Sequence, residues 1–201
     1  MSRTWCGGAW CEMNALEHLL TWMGDARLLL PVIAAMALLW WRTRPRMALE
    51  WGALVAAMGA TVAASKLAYI VWGIDWQALR FYGFSGHSAM SATVYPVALY
   101  ALCARARALR WPAVAAGALL ALVVGFSRAA MNLHSASEIV GGLALGAMVS
   151  GAMIYRWRQQ LAIHWASMAG AWLLAVLLVL AVPSVAIEDL LQRLGGALHA
   201  A

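Results

Sequence analysis

Residues 48–72 read ALEWGALVAAMGATVAASKLAYIVW, a stretch with two charges, Glu50 near one end and Lys66 near the other. A run of about 20 apolar residues at 1.5 Å each covers the hydrocarbon of a bilayer. Unbroken apolarity rich in Ala and Leu predicts a helix rather than the alternating strand of a barrel. Five further segments read the same way, near 24–41, 86–104, 111–127, 135–155 and 163–182. The segments 24–41 and 111–127 need flanking residues to span.

The whole chain agrees with that stretch. Of 201 residues, 65% are hydrophobic and 11% charged. Soluble domains run nearer 45–50% and 25%, and one of this size could not hide so much apolar surface. Disorder is excluded for the same reason. The fold class expected is all-α, a polytopic membrane bundle of about six transmembrane helices, with residues 1–201 forming a single domain. Pro31 and Pro112 fall near helix starts, and Pro96 inside the third segment is expected to kink it. Trp40, Trp41, Trp72, Trp76, Trp111, Trp157 and Trp165 cluster at segment ends, where interfacial aromatics belong. Residues 1–23 and 184–201 are expected to form short interfacial helices. No signal-peptide pattern is present, so no leader is expected to be removed.

The net charge of +6 is not a nucleic-acid signature, because the cations punctuate apolar runs instead of forming a stripe. Arg42, Arg44 and Arg46, then Arg105, Arg107 and Arg110, then Arg156 and Arg158 occupy the first, third and fifth loops. These hold eight of the 14 Lys and Arg residues with one acid, Glu50. The positive-inside rule therefore places those loops in the cytoplasm, with loops two and four and both termini outside. Cys6, Cys11 and Cys103 have neither zinc-ligand spacing nor a disulfide framework, although Cys6 and Cys11 could pair outside.

The remaining polar residues gather in two stretches, Lys66 to Ser91 and Ser127 to Glu138, both bordering the outside loops. A bundle brings Lys66, Arg80, Ser85, His87, Arg128, His134 and Glu138 together, and charges at membrane depth face an interior or an aqueous cavity. Lys66 reads either as a snorkelling lysine or as an inward cation awaiting an anion. Gly83-Phe84-Ser85-Gly86-His87 is not a nucleophile elbow, which needs glycine where His87 stands and a strand before it. It fits anion binding at a helix start, or equally a plain loop with an N-cap serine. His134 and Glu138 are four apart, so one face presents an imidazole and its carboxylate. Ser135-Ala136-Ser137-Glu138 also spells a capping box, and the two readings are compatible. Arg128 offers the planar fork suited to phosphate. Two histidines and one glutamate make too few ligands for a metal site, with Asp75 the only nearby aspartate. The set fits phosphoryl transfer through a phosphohistidine.

Ser85-Gly86-His87, followed by Ser127-Arg128, five residues, His134, three residues and Glu138, resembles two signatures of the type 2 phosphatidic acid phosphatase superfamily. That resemblance implies His134 as nucleophile, Glu138 as its orienting carboxylate and His87 as general acid and later base. It implies Ser85, Gly86, Arg128 and Lys66 as phosphate ligands, with Ser127 a weaker candidate. It implies hydrolysis of a lipid phosphate or polyprenyl diphosphate without metal or other cofactor, at the periplasmic face of a bacterial inner membrane. The expected partners are the lipid phosphate substrate and membrane lipids, not nucleic acid.

The chain departs from the family pattern at three places. Phe84 replaces a proline, Glu138 an aspartate, and Gly73 stands where the first signature has arginine; Arg80 is the candidate replacement for that charge. Two helices, not three, are expected before the phosphate loop, with one extra after it. A phosphotransferase of the same fold and a non-catalytic lipid-binding scaffold are the alternatives. Gly142, Gly146 and Ser150 form a small-residue stripe for intramolecular packing or, less simply, dimerisation. Ser88, Ser91 and Tyr95 share a face below His87, suited to interhelical hydrogen bonds or a substrate path. His18, His164 and His199 are given no catalytic role.

Overall fold

The computed structural model describes residues 15–181, with side chains from residue 19 onward. The Cys6–Cys11 pair, the segment 184–201, His199 and the His18 side chain lie outside the described residues. Within them the helices are α1 (Ala15–Gly24), α2 (Ala26–Trp41), α3 (Pro45–Trp72), α4 (Gly86–Cys103), α5 (Arg110–Ala130), α6 (Ala136–Trp157) and α7 (Trp165–Ala181). There is no strand among the described residues, only an isolated bridge between Trp76 and Phe81. Helices α2 to α7 fall on the six apolar segments, with ends displaced by three residues at most. Leu19–Trp41, Pro45–Trp72, Arg107–Ala130 and Ala136–Trp157 are long and apolar enough to cross a membrane, and α7 is a shorter apolar helix. The fold is a helical membrane bundle.

Helix α4 is the axis. It packs chiefly on α5 and α6 and also meets α1, α2 and α3, while α2 joins α3 to α7. Twelve residues of α4 are buried, including Ser88, Ser91 and Thr93, so this polar helix is wrapped by apolar ones. The outer surface shows Leu38, Phe126, Val140, Met148 and Leu180 to the surroundings, as lipid contact requires. Helix α1 is a third helix ahead of the α3–α4 loop. It packs on α5, α4 and α2 instead of lying apart at the surface.

Small residues set the central spacing. A Cβ built on Gly142 would stand 2.5 Å from the Ser85 carbonyl oxygen, and one on Gly146 would collide with the Ala89 carbonyl. The stripe on α6 is thus spent on α4 within the chain. On the other side of α4, a Cβ on Gly117 of α5 would fall 2.6 Å from the Pro96 nitrogen. Helix α4 runs on through Pro96, and α5 comes closest at that point. Pro31 lies inside α2, beyond its first turn, where it removes a helical hydrogen bond.

Two tryptophans depart from the interfacial belt. Trp40 is 1% exposed because its indole N–H donates to the Leu161 carbonyl and its ring meets Trp51 edge-on at 5.9 Å. Trp157 donates to Glu50, which also pairs with Arg156 at 2.8 Å, tying α3 to α6 at the arginine-rich end. Trp41, Trp72, Trp76, Trp111 and Trp165 are exposed at helix ends, as expected.

Replacing Gly146 by leucine should therefore lower stability by about 1–3 kcal/mol, the usual cost of overpacking. A drop in the thermal midpoint in detergent would show it. Gly151→Leu, whose built Cβ meets nothing within 4 Å, should leave the midpoint unchanged.

Candidate active site

The helix order puts the α3–α4 loop, the α5–α6 loop and the start of α2 at one end of the bundle, and the arginine loops at the other. Helix α3 stops at Gly73, which has φ 63° and donates its N–H toward the carbonyls of Ala68 and Tyr69. That left-handed closure favours glycine. Gly73 is the helix stop of α3. The loop then makes a tight bend in which Trp76 and Phe81 exchange backbone hydrogen bonds of 3.2 and 3.3 Å. Arg80 sits in that bend with φ 50°, exposed to solvent.

The loop returns to α3 before entering α4. Phe84 N–H donates to Ser65 Oγ at 3.0 Å, and a Cβ on Gly83 would lie 2.9 Å from Lys66 Cγ. The α3–α4 loop is therefore laid along Lys66. Phe84, in the place of the family's proline, packs edge-on against Phe81 at 5.1 Å and fills the space over Gly141 of α6. Its ring does by packing what proline does by covalent restraint.

Ser85 is the N-cap of α4 and fully buried, but its side chain does not cap the helix. Its Oγ accepts from Ser88 Oγ at 3.0 Å, and its N–H donates to the Glu138 carbonyl at 3.1 Å. The first amides of α4, those of Gly86 and His87, thus stand at a helix start beside Glu138, in the position that favours anions.

Glu138 connects both loops. Its Oε1 accepts from the Tyr82 N–H at 2.9 Å, and its Oε2 takes His134 Nδ1 at 2.9 Å and the Ser135 N–H at 3.1 Å. Ser135 completes the capping box, so the capping and catalytic readings are both realised. With the carboxylate ionised, Nδ1 of His134 carries the hydrogen and Nε2 keeps its lone pair. Burial pushes the His134 imidazole below its ordinary 6.5; the Glu138 hydrogen bond opposes this, and the Lys66 and Arg128 cations add to the lowering. Lys66, Arg128, His134 and Glu138 thus form one electrostatic cluster. Arg80 is not among the charges that couple to His134.

Arg128 is 7% exposed near the end of α5, and its guanidinium donates to Thr21 Oγ1 at 3.4 Å. The adjacent Ser127 hydroxyl donates to the Val124 carbonyl at 2.7 Å, which turns it toward its own helix. His87 and Val124 of α5 both lie against Gly24, at the α1–α2 joint. Tyr95 donates to the Met23 carbonyl at 2.6 Å, so the polar face below His87 serves interhelical bonding at that point. His164 is at the arginine end, where Nδ1 accepts the Ala166 N–H. Among the described residues, no three His, Cys, Asp or Glu side chains are grouped to hold a metal ion. The α1–α2 joint, where Thr21 meets Arg128 and Gly24 meets His87, is the contact that sequence reasoning missed.

The family model described as the PAP2 superfamily matches residues 26–163. The chain is 44% identical over 133 residues to a protein described as an uncharacterized 22.5 kDa protein in the cps region of Klebsiella pneumoniae. That match spans 65% of this chain and 64% of the relative, just under two thirds of its length. No solved structure matches the chain at a significant level.

The His134 titration can be followed by NMR of the labelled imidazole in micelles. Its midpoint should lie below 6.5, and Lys66→Met should move it upward, because a cation that disfavours the charged ring has gone.

Proposed function

Since this chain belongs to the PAP2 superfamily, whose members are phosphatases and related phosphoryl hydrolases, we propose that it hydrolyses a lipid phosphate or polyprenyl diphosphate through a phosphohistidine on His134. The observation that carries the reading is His134 with Nδ1 held on Glu138 at 2.9 Å, inside the field of Lys66 and Arg128 and beside the N-terminus of α4. A neutral imidazole with one nitrogen oriented by a carboxylate is a nucleophile at the other, and burial keeps it neutral.

In the proposed sequence Nε2 attacks phosphorus. Lys66, Arg128 and the α4 amides hold the equatorial oxygens, where charge accumulates. His87 gives its proton to the leaving oxygen as the P–O bond breaks. Water then attacks the phosphohistidine, His87 takes the water proton, and the P–N electron pair returns to His134. Ser85 shapes the loop through Ser88 and Glu138. Ser127 positions Arg128. Arg80, at the exposed rim, draws the anionic substrate toward the mouth by its long-range field. The eight loop arginines at the far end support a cytoplasmic placement for that end and a periplasmic one for the site, in a bacterial inner membrane. Apolar helices around the site support a substrate that arrives through the bilayer.

Phosphate release by the purified protein in detergent with EDTA, across polyprenyl diphosphate, phosphatidic acid and phosphatidylglycerol phosphate, tests this directly. His134→Ala should abolish release, and His87→Ala should slow it by roughly 10²–10⁴-fold, the usual worth of general acid help. Glu138→Gln, which cannot accept from all three of its donors, should cost about 10²-fold or more. A brief pulse of ³²P-labelled lipid should leave acid-labile label on the wild type and none on His134→Ala. Unimpaired release by His134→Ala would sink the proposal.

A further inference from the structure

Helix α1 (Ala15–Gly24) lies ahead of residues 26–163, the stretch that the family model matches. It nevertheless packs on α5, α4 and α2, and its last turn is fitted closely. A Cβ built on Gly24 would stand 2.6 Å from Val124 Cγ1 of α5 and 3.0 Å from His87 Cδ2 of α4. Helix α1 therefore comes down onto both helices at a residue without a side chain. The Met23 carbonyl accepts from Tyr95 at 2.6 Å. Three residues before Gly24, and so on the same face of α1, stands Thr21.

Thr21 is 4% exposed, and its hydroxyl works between helices. The hydroxyls of Thr61, Ser65, Ser127 and Ser150 each donate to a carbonyl of their own helix. That of Thr21 donates to Met131 Sδ at 3.7 Å, at the end of α5, and accepts from Arg128 Nη1 at 3.4 Å. One contact holds the hydroxyl proton and the other takes a lone pair, so together they fix the direction in which the oxygen faces.

The buried partner of that oxygen is the residue read above as a phosphate ligand. A guanidinium is rigid and planar, with five N–H donors in a fixed fork, so anchoring one nitrogen constrains where the others point. A fork that is to meet two oxygens of one phosphate gains from being held in its plane before the phosphate arrives.

We propose that Thr21 is a positioning residue for Arg128, fixing the plane of its guanidinium for the phosphate of the substrate, so that α1 is a working part of the phosphate site. The inference rests on the reading of Arg128 as a phosphate ligand. No bond or proton of the reaction passes through Thr21. Its effect is on how well the fork meets the phosphoryl oxygens, in the bound substrate and more strongly as charge gathers on them.

The full-length protein, Thr21→Val, Thr21→Ser, Arg128→Gln and the double variant Thr21→Val/Arg128→Gln would be compared in detergent. One readout is phosphate release from phosphatidic acid and polyprenyl diphosphate. The other is binding of inorganic phosphate, followed by ³¹P line broadening, which needs no turnover. Thr21→Val keeps the shape and removes the acceptor. It should weaken phosphate binding and lower kcat/KM by about 3–10-fold, the worth of one long hydrogen bond to a charged donor. Thr21→Ser keeps the acceptor and should recover most of that loss. Arg128→Gln should lose about 10²-fold or more in kcat/KM. Adding Thr21→Val to it should cost nothing further, because the group through which Thr21 acts has gone.

Several outcomes overturn the inference while leaving the parent reading intact. One is wild-type binding and kcat/KM in Thr21→Val. Another is a Thr21→Ser protein as impaired as Thr21→Val, or a Thr21→Val protein that does not fold; either makes Thr21 a packing residue. A third is an undiminished loss when Thr21→Val is added to Arg128→Gln, since Thr21 then acts on the bundle and not through the guanidinium. Should Arg128→Gln fail to fold, the contrast between Thr21→Val and Thr21→Ser decides alone. Wild-type binding and turnover in Arg128→Gln overturns the reading of Arg128 as a phosphate ligand, and this inference with it. A wild type that neither binds phosphate nor releases it from these lipids does the same.

Discussion

A carboxylate 6% exposed near the end of a membrane bundle must have its lone pairs satisfied, or its desolvation would not be tolerated. Glu138 meets that demand with three N–H groups, from Tyr82, His134 and Ser135, and its backbone carbonyl takes a fourth from Ser85. Those donors come from both active-site loops. The interaction that keeps one buried charge acceptable therefore fixes the α3–α4 loop against the α5–α6 loop. The spacing of His134 and the first amides of α4 follows from it. An aspartate, one methylene shorter, would reach less far from the same backbone position, so a loop lacking the family's proline here gains its second anchor from the longer acid.

That arrangement requires α4 and α6 to be close, since Glu138 is on one and Ser85 caps the other. Gly142 and Gly146 allow it by leaving no Cβ between the helices. With little hydrophobic drive between helices in lipid, close van der Waals approach is the main source of association, and glycine maximises it. The same economy applies across α4, where Gly117 meets the backbone at Pro96. Helix α4 is thus clasped from two sides by backbone contact.

Much of this was legible in the sequence because membrane helices advertise themselves by length and apolarity alone. The six segments, the opposite placement of Arg42–Arg46 and Lys66, and the His134–Glu138 pair all follow from spacing within one helix or one run. What was not legible depended on contacts between distant parts. Trp40 has the composition of an interfacial residue, yet its indole finds the Leu161 carbonyl, 121 positions away. Gly73 looked like a lost arginine in a linear signature, whereas its φ of 63° makes it the glycine that ends α3. His87 meets Gly24 only through the packing of α4 on the α1–α2 joint.

The helix stop at Gly73 stands where the family's first signature has arginine. A family arginine at position 73 would demand a left-handed backbone from a residue with a Cβ, at a cost of roughly 1–2 kcal/mol. It would also project into open space, for nothing lies within 4 Å of a Cβ built there. The cluster around His134 draws its cations from Lys66 and Arg128 instead. A third cation, Arg27, pairs with Asp25 at the start of α2. Positive charge is thus supplied from α2, α3 and α5, three different elements at one end of the bundle. In a water-poor site each cation needs a nearby anion until substrate arrives, and here Glu138 and Asp25 supply two. Departure from the signature at Gly73 therefore accompanies a cluster at His134 whose cations come from α3 and α5.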